Sequence, residues 1–175
     1  MALVVRDLDR SDPRDVTALA ALLASVPDFS QRVSGRPPAP DDAADALTAA
    51  PPGVPAERKH AIGLWDATDP GRLLGFADLL RGWPSPESAH LGLLVTDGRL
   101  HGGGLGRHTF DAVLARVRDW PEVTRLQLAV VATNAAAAGP FWGRLGFRPT
   151  GRTAPYSSGS VRSTKEVWAA RVVDL

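Results

Sequence analysis

The stretch that decides this fold is His101-Gly102-Gly103-Gly104-Leu105-Gly106-Arg107, which joins an apolar run to an amphipathic one. Four of the five positions from 102 to 106 are glycines, so the turn lacks most Cβ atoms and its backbone N–H groups can close around an anion. A helix that begins here adds unpaired N–H groups and the positive end of its dipole. The stretch therefore predicts a site for a phosphate or pyrophosphate between a strand and a helix.

The segments around this turn indicate alternating strands and helices. The apolar run Ala89–Val95 predicts a central strand that is covered on both faces. After the turn, apolar residues at helical spacing predict a helix that ends near Arg118. Further strands are predicted at Leu3–Val5, Ala61–Trp65, Leu73–Leu80, Leu126–Val131, Phe147–Gly151 and Glu166–Val172. Further helices are predicted from Pro13 after a cap at Ser11 or Asp12, over Ala43–Ala49, and from Asn134 to Leu145 before a left-handed Gly146.

This order of elements contains no repeat and no linker, so residues 1–175 are predicted to form one domain of the α/β (α+β) class. The segment Pro27–Pro55 is rich in Pro, Ala and Asp, and we expect it to be mobile and to border the substrate site. Pro140 falls inside the last predicted helix. It predicts either a kink or a turn over Ala135–Ala138 with a helix that starts at Gly139.

The composition excludes several classes of protein. An apolar content of 44% fits a sizeable core, and a net charge of +1 argues against a general nucleic-acid binder. The absence of cysteine excludes disulfides, thiolate metal sites and a cysteine nucleophile. The sequence has neither a secretory signal segment nor an apolar run of about 18 residues. We therefore expect a cytoplasmic protein with no metal, no nucleic acid and no membrane partner.

The glycine turn does not match the two best-known phosphate-binding motifs. No Lys-Ser or Lys-Thr pair follows Gly106, which excludes a Walker A loop. The spacing of Gly102, Gly104 and Gly106 differs from the Rossmann fingerprint, and Glu122, at a plausible offset for the ribose, follows Pro121. A nicotinamide dinucleotide is therefore disfavoured.

Three further segments of the sequence, one before the glycine turn and two after it, form a pattern together with the turn. Leu91–Val95 precedes it, and Asn134 and the Phe-Trp segment Phe141–Phe147 follow it. With the turn, they make the chain resemble the GCN5-related N-acetyltransferases over nearly its whole length. In that family the pyrophosphate of acyl-CoA lies on the glycine turn. The resemblance implies a mixed, mostly antiparallel sheet of six to seven strands with two splayed central strands, flanked by about four helices.

The function that the resemblance implies is transfer of the acetyl group of acetyl-CoA to a primary amine, by direct attack in a ternary complex. The acceptor is expected to be a small molecule or a protein N-terminus, and the protein a monomer or homodimer. The alternative is a non-catalytic acyl-CoA binding module of the same fold. A nucleotide-binding regulator is a third interpretation. No part of the sequence identifies the acceptor.

The resemblance also assigns residues to the cofactor. Backbone groups of the central strand would contact the pantetheine arm, and one of their N–H groups would polarise the thioester carbonyl. Asn134 would contact the pantetheine amide, or else act as a helix N-cap. Arg107, together with Arg144 or Arg148, is a candidate for further phosphate contacts. The implied cofactor residues are Leu93, Leu94, Val95, His101, Gly102, Gly103, Gly104, Leu105, Gly106, Arg107, Asn134, Phe141 and Trp142.

The proton-transfer residues are less clearly marked. His90 is a candidate general base, since an ordinary histidine pKa near 6.5 suits the task. Glu87 is its rival and Asp78 a more distant one. Many family members place a tyrosine where Trp142 stands, to protonate the leaving thiolate. Tyr156, in a predicted Pro/Ser/Gly-rich loop, or water would have to replace it here.

Overall fold

The computed structural model describes residues 2–175, and its strands and helices alternate much as the sequence predicts. The strands are β1 Leu3–Asp7, β2 Lys59–Asp66, β3 Asp69–Arg81, β4 Ser88–Thr96, β5 Arg125–Val131, β6 Arg148–Ser158 and β7 Val161–Arg171. The helices are α1 Pro13–Ala24, α2 Pro27–Ser34, α3 Asp42–Thr48, α4 Leu105–Arg118 and α5 Ala135–Arg144. All seven strands form one sheet in the order β1-β2-β3-β4-β5-β7-β6. The predicted mixed sheet is confirmed, with five helices rather than about four.

The two central strands separate partway along their length. β4 and β5 are the parallel pair, and their register runs from Ser88 opposite Arg125 to Leu91 opposite Leu128. Beyond those pairs, β4 continues against β3, and β5 continues against β7. The facing edges of β4 and β5 therefore no longer hydrogen-bond to each other. The predicted splay of the central strands is therefore confirmed, and it opens a gap in the middle of the sheet.

Each face of the sheet is covered by its own helices. On one face α4 and α5 pack Phe110, Val113 and Trp142 against the strands. On the other, α1 and α3 bury Leu19 and Leu47, together with side chains of β2, β3 and β4. Burial of such side chains is the main contribution to the stability of the domain. The gap between β4 and β5 lies between these two layers.

The start of α1 follows the predicted capping chemistry, whereas the course of α5 differs from one of its two predicted forms. Asp12 caps α1, since its side chain accepts from the Arg14 N–H and Pro13 takes the first helical position. α5 runs without interruption from Ala135, so the predicted alternative of a turn over Ala135–Ala138 is wrong. Pro140 removes the bond that its N–H would have made to the carbonyl of Ala136, and that residue is exposed to water, which can replace it.

Two segments differ from the sequence-based expectation. Within Pro27–Pro55, α2 was not predicted, although Pro27 occupies its first turn. β6 and β7 extend well beyond their predicted bounds and form a hairpin. Tyr156 therefore lies on a strand, and the prediction of a loop there is wrong. The strand β6 is exposed over most of its length, so its sequence lacks the apolar alternation that marks a strand with one buried face.

Candidate functional site

A cavity of 1130 Å³ fills the gap between β4 and β5. Its walls come from these two strands, the glycine turn, α5 and α2, with one residue each from β6 and β7. Most of the residues that the sequence analysis assigned to the cofactor or to catalysis line it: His90, Leu93, Leu94, Val95, His101, Gly102, Gly104, Leu105, Gly106, Arg107, Asn134, Phe141, Trp142 and Tyr156. Gly103 and Glu87 are not among the lining residues. The fold thus gathers segments far apart in the chain around one space.

The glycine turn presents free backbone donors to this cavity. Gly102 has φ +88° and Gly104 φ +80°, a conformation that glycine adopts without the steric cost of a Cβ. Gly104 is the N-cap of α4, and the first turn of the helix has no acidic residue and no side-chain cap. Within residues 2–175, the first N–H of α4 with a carbonyl partner is that of His108, which donates to Gly104 O at 3.0 Å. The preceding amides remain available to an anion.

Asp97, which the sequence analysis did not single out, anchors the entry to the turn. Its carboxylate is fully buried and accepts from the backbone N–H and both the Nε and Nη2 of Arg99, at 3.0, 2.8 and 2.7 Å. Arg72 Nη2 also donates to Asp97 Oδ2, at 3.4 Å. These donors lower the pKa of Asp97 to about 2. The 3₁₀ turn Gly98–Leu100 follows Asp97 and connects β4 to the glycine turn.

Close packing holds α4 and α5 together behind the turn. A Cβ on Gly106 would lie 3.0 Å from the Phe141 ring, so the glycine lets the two helices approach. Trp142 is buried in an aromatic cluster, with ring centroids 6.2 Å from Phe110 and 5.5 Å from Phe147. The indole therefore packs into the core and forms one wall of the cavity, where it offers no acidic proton.

Asn134 connects two walls of the cavity. Asn134 occupies the N-cap position of α5, but its side chain makes no capping bond to the helix. Instead its Oδ1 accepts from Arg32 Nε of α2 at 2.7 Å, and the neighbouring Thr133 hydroxyl donates to the Arg32 carbonyl at 2.7 Å. These bonds fasten α2 to the end of β5, across the opening of the gap.

His90 lies on β4 where the two strands still pair, just before they separate. The ring is half-buried, meets Trp83 edge-on at a centroid distance of 4.8 Å, and has Nδ1 3.4 Å from Gln127 Nε2. Burial, with a smaller contribution from the Lys165 charge, lowers the pKa of His90 to about 4. The ordinary value near 6.5 assumed from the sequence is therefore wrong at this position. At neutral pH the imidazole is uncharged and can accept a proton.

The other candidate proton-transfer groups lie in three different environments. Glu87 is exposed to solvent. Asp78 forms a 2.6 Å ion pair with Lys59, whose side chain is only 3% exposed. Burial raises the pKa of Asp78, although Lys59 opposes the shift. The half-buried Tyr156 donates its hydroxyl proton to the Val33 carbonyl at 2.9 Å.

Neither a metal centre nor a membrane span is found in the part of the chain that the structure describes. Among residues 2–175 no three His, Cys, Asp or Glu side chains are grouped as metal ligands would be. No helix there has both the length and the apolar composition needed to cross a membrane.

Comparison with known proteins gives a consistent result. Residues 27–147 match the model of the acetyltransferase (GNAT) family. An acetyltransferase from Thermus thermophilus has a TM-score of 0.71 at 22% identity, covering 98% of this chain and 97% of that one. The ribosomal-protein-S18-alanine N-acetyltransferase from Escherichia coli has a TM-score of 0.67 at 20% identity, covering 98% and 94%. A GCN5-related N-acetyltransferase from Kribbella flavida reaches 0.65 at 24%, covering 97% and 98%. No curated protein matches the sequence.

Proposed function

Since the family match spans residues 27–147, this chain belongs to the acetyltransferase (GNAT) family, and we propose that it transfers the acetyl group of acetyl-CoA to a primary amine. One observation carries the proposal. A single cavity leads from the free amides at the start of α4, along the separated edge of β4, to the uncharged imidazole of His90. An anion site at one end and a proton acceptor at the other are what such a transfer requires.

The residues of the cavity fit acetyl-CoA. The amides of Leu105, Gly106 and Arg107 would hold the pyrophosphate, since no acidic side chain competes for them within the first turn of α4. Backbone groups of Leu93, Leu94 and Val95, together with Asn134, would hold the pantetheine arm, and Phe141 and Trp142 would close the cavity beside it. When bound, acetyl-CoA supplies an acetyl group activated as a thioester.

The roles proposed for the chain's own residues follow from their positions. His90 accepts a proton from the amine, and a backbone N–H of β4 stabilises the charge that develops on the acetyl oxygen. Glu87 remains the rival base. From its exposed position outside the cavity lining it would act through water. Tyr156 would protonate the thiolate only after giving up its bond to Val33 O, so water is the competing proton source.

Two classes of acceptor amine are candidates for the proposed reaction. A protein N-terminus is one candidate, because one structural neighbour is named for the alanine of ribosomal protein S18. A small-molecule amine is the other, and the enclosed position of His90 at the base of the gap supports it.

The direct test is release of the CoA thiol from acetyl-CoA over a panel of primary amines. We expect release that depends on both the amine and acetyl-CoA, with the N-acetylated amine detected by mass spectrometry. Calorimetry with acetyl-CoA alone provides the control. Binding without turnover on any amine would favour the non-catalytic acyl-CoA module, an alternative that the indole at position 142 supports.

A further inference from the structure

The cavity has an uneven distribution of charge. Its lining in the described chain includes four basic side chains, Arg32, Arg107, Arg144 and Lys165, and no aspartate or glutamate. The whole chain, by contrast, carries 20 basic and 19 acidic residues, so the cavity departs strongly from the average composition. Such a concentration of one sign of charge favours ligands of the opposite sign.

Two of these cations have a clear place at the cofactor end. Arg107 belongs to the glycine turn and forms an i,i+4 pair with Asp111, and Arg144 lies near the end of α5. Arg32 is bonded to Asn134. Lys165 differs from all three because it lies on β7. It stands opposite Val131 of β5, and β5 is also the strand that carries Gln127.

Lys165 directs an unbalanced charge toward His90. Its side chain is half-buried, and its charge contributes to the lowered pKa of that histidine. Within residues 2–175 no carboxylate oxygen lies within salt-bridge distance of its Nζ. The comparison with Lys59 is instructive, since that buried ammonium is paired with Asp78 at 2.6 Å. Lys165 is only partly withdrawn from water, and a bound anion would give its ammonium the kind of charged partner that Lys59 has in Asp78.

A second cation approaches the same place from β6. Arg152 Nη2 donates to Gln127 Oε1 at 3.3 Å, and Gln127 Nε2 lies 3.4 Å from His90 Nδ1. The part of the chain that the structure describes shows no ion pair for Arg152. Arg152 is exposed and lies outside the cavity lining, so Lys165 is the cation that lines the cavity together with His90, and that lining has no acid to bind a second ammonium of a substrate.

We propose that the acceptor is a small primary amine that also carries an anionic group, a carboxylate or a phosphonate, which Lys165 binds while the amine nitrogen lies near His90. The proposal rests on the acetyl transfer proposed above. In that reaction the neutral amine nitrogen bonds to the acetyl carbon, the carbon–sulfur bond breaks, and its electron pair leaves on sulfur. One amine proton passes to His90, which returns it to water, and the thiolate takes up a proton from water or from Tyr156, which then regains its own from water. The anionic group is unchanged and serves for binding alone.

The test uses acceptors matched except for the anion. L-leucine and L-phenylalanine are compared with their carboxamides, and 2-aminoethylphosphonate with ethylamine, which separates a carboxylate site from a phosphonate site. Spermidine and a peptide with a free N-terminus and an amidated C-terminus represent the other classes. We expect kcat/KM for one of the anionic series to exceed that of its neutral partner by about tenfold or more, the effect of a charge-assisted hydrogen bond.

Variants then locate the anion. Lys165→Gln should raise KM for the anionic acceptor about tenfold and leave KM for acetyl-CoA unchanged. Lys165→Arg should recover most of the loss. Arg118→Gln, which removes an exposed charge in the last turn of α4, is the matched control. An effect of Lys165→Gln on neutral and anionic acceptors alike would assign the lysine to His90 rather than to the acceptor and would overturn the proposal.

A binding measurement separates this proposal from the proposed function. Titration of the same anionic amines into the CoA-loaded protein should give heat that is lost in Lys165→Gln. Such binding without any turnover would support the anion site and overturn the acetyl transfer. Turnover of spermidine, the peptide or neutral amines in preference to every anionic partner would overturn the anion site and leave the acetyl transfer standing. A raised KM for acetyl-CoA in Lys165→Gln would assign Lys165 to the cofactor and would also overturn the proposed anion site.

Discussion

His90 lies just before the separated part of β4, and Asp97 lies just after it. Both residues have a lowered pKa, but for different reasons. Guanidinium and backbone donors hold Asp97 ionised. Burial holds His90 uncharged, since a buried imidazolium would lose its hydration. Asp97 is thereby a permanently charged anchor for the glycine turn, and His90 is an uncharged imidazole near neutral pH that binds a proton less tightly than an ordinary histidine.

The pH dependence of the reaction should reflect the lowered pKa of His90. An imidazole with pKa about 4 is in its basic form above about pH 5, so kcat/KM should fall on the acid side near pH 4 rather than near 6.5. His90→Ala should lower kcat about 10²-fold or more and abolish this limb. Glu87→Gln, at an exposed position, is the control. If Glu87→Gln removes the limb and His90→Ala does not, the base is Glu87.

Asp97 should contribute to stability in a pH window set by its own titration. Its pKa in the folded state is about 2, below the unfolded value of 3.8, so the stabilisation is complete above about pH 4 and disappears as the pH falls through 2. Asp97→Asn should therefore lower the free energy of unfolding by about 2 kcal/mol at pH 7. Urea titrations of both proteins should show the difference shrinking below pH 4. Asp12→Asn, at the partly exposed cap of α1, is the comparison; a pH-independent difference for Asp97→Asn would contradict the titration argument.

At the scale of elements, the sequence carries the segments whose geometry is local. Positive φ at Gly102 and Gly104, and the apolar run of β4, follow from the residues themselves. The bonds from Arg32 to Asn134 and from Tyr156 to Val33 join residues 102 and 123 positions apart, and no local pattern encodes such a pairing. That is why the placement of α2 across the gap and the extension of β6 and β7 into a hairpin were not predicted, and why the candidate acceptor side of the cavity came from the structure alone.

The glycine turn gives a prediction for an element. Gly104→Asp places a carboxylate at the start of α4, where it should repel the pyrophosphate and abolish detectable acetyl-CoA binding. The added Cβ has 3.6 Å of clearance from His108, so the cost in stability is limited to about 1 kcal/mol of backbone strain. Gly53→Asp is the matched control, with φ +79° and no atom within 4 Å of the added Cβ. Unchanged affinity in calorimetry for Gly104→Asp would remove the role assigned to the turn.

At the scale of the whole molecule, the two parts of the sheet are joined by a short seam. β4 and β5 pair through four residue pairs and then separate, and α2 crosses the opening through its bonds to Asn134 and Tyr156. A ligand in the gap contacts strands of both parts at once. It therefore stabilises the native state only while both parts are folded and in place.

Acetyl-CoA should consequently raise the stability of the whole domain. At a concentration one hundred times its Kd, the free energy of unfolding should increase by about 2.7 kcal/mol, because the ligand binds the folded state and not the unfolded chain. Chemical denaturation at several ligand concentrations measures this increase, and Gly104→Asp should abolish it while Gly53→Asp retains it. ATP and NAD at equal concentrations discriminate between cofactor classes. A cavity that continues from the anion site along β4 to His90 has room for the pantetheine arm, which neither nucleotide possesses, so both should stabilise the protein far less. An equal or larger increase with ATP or NAD would instead identify a nucleotide-binding regulator.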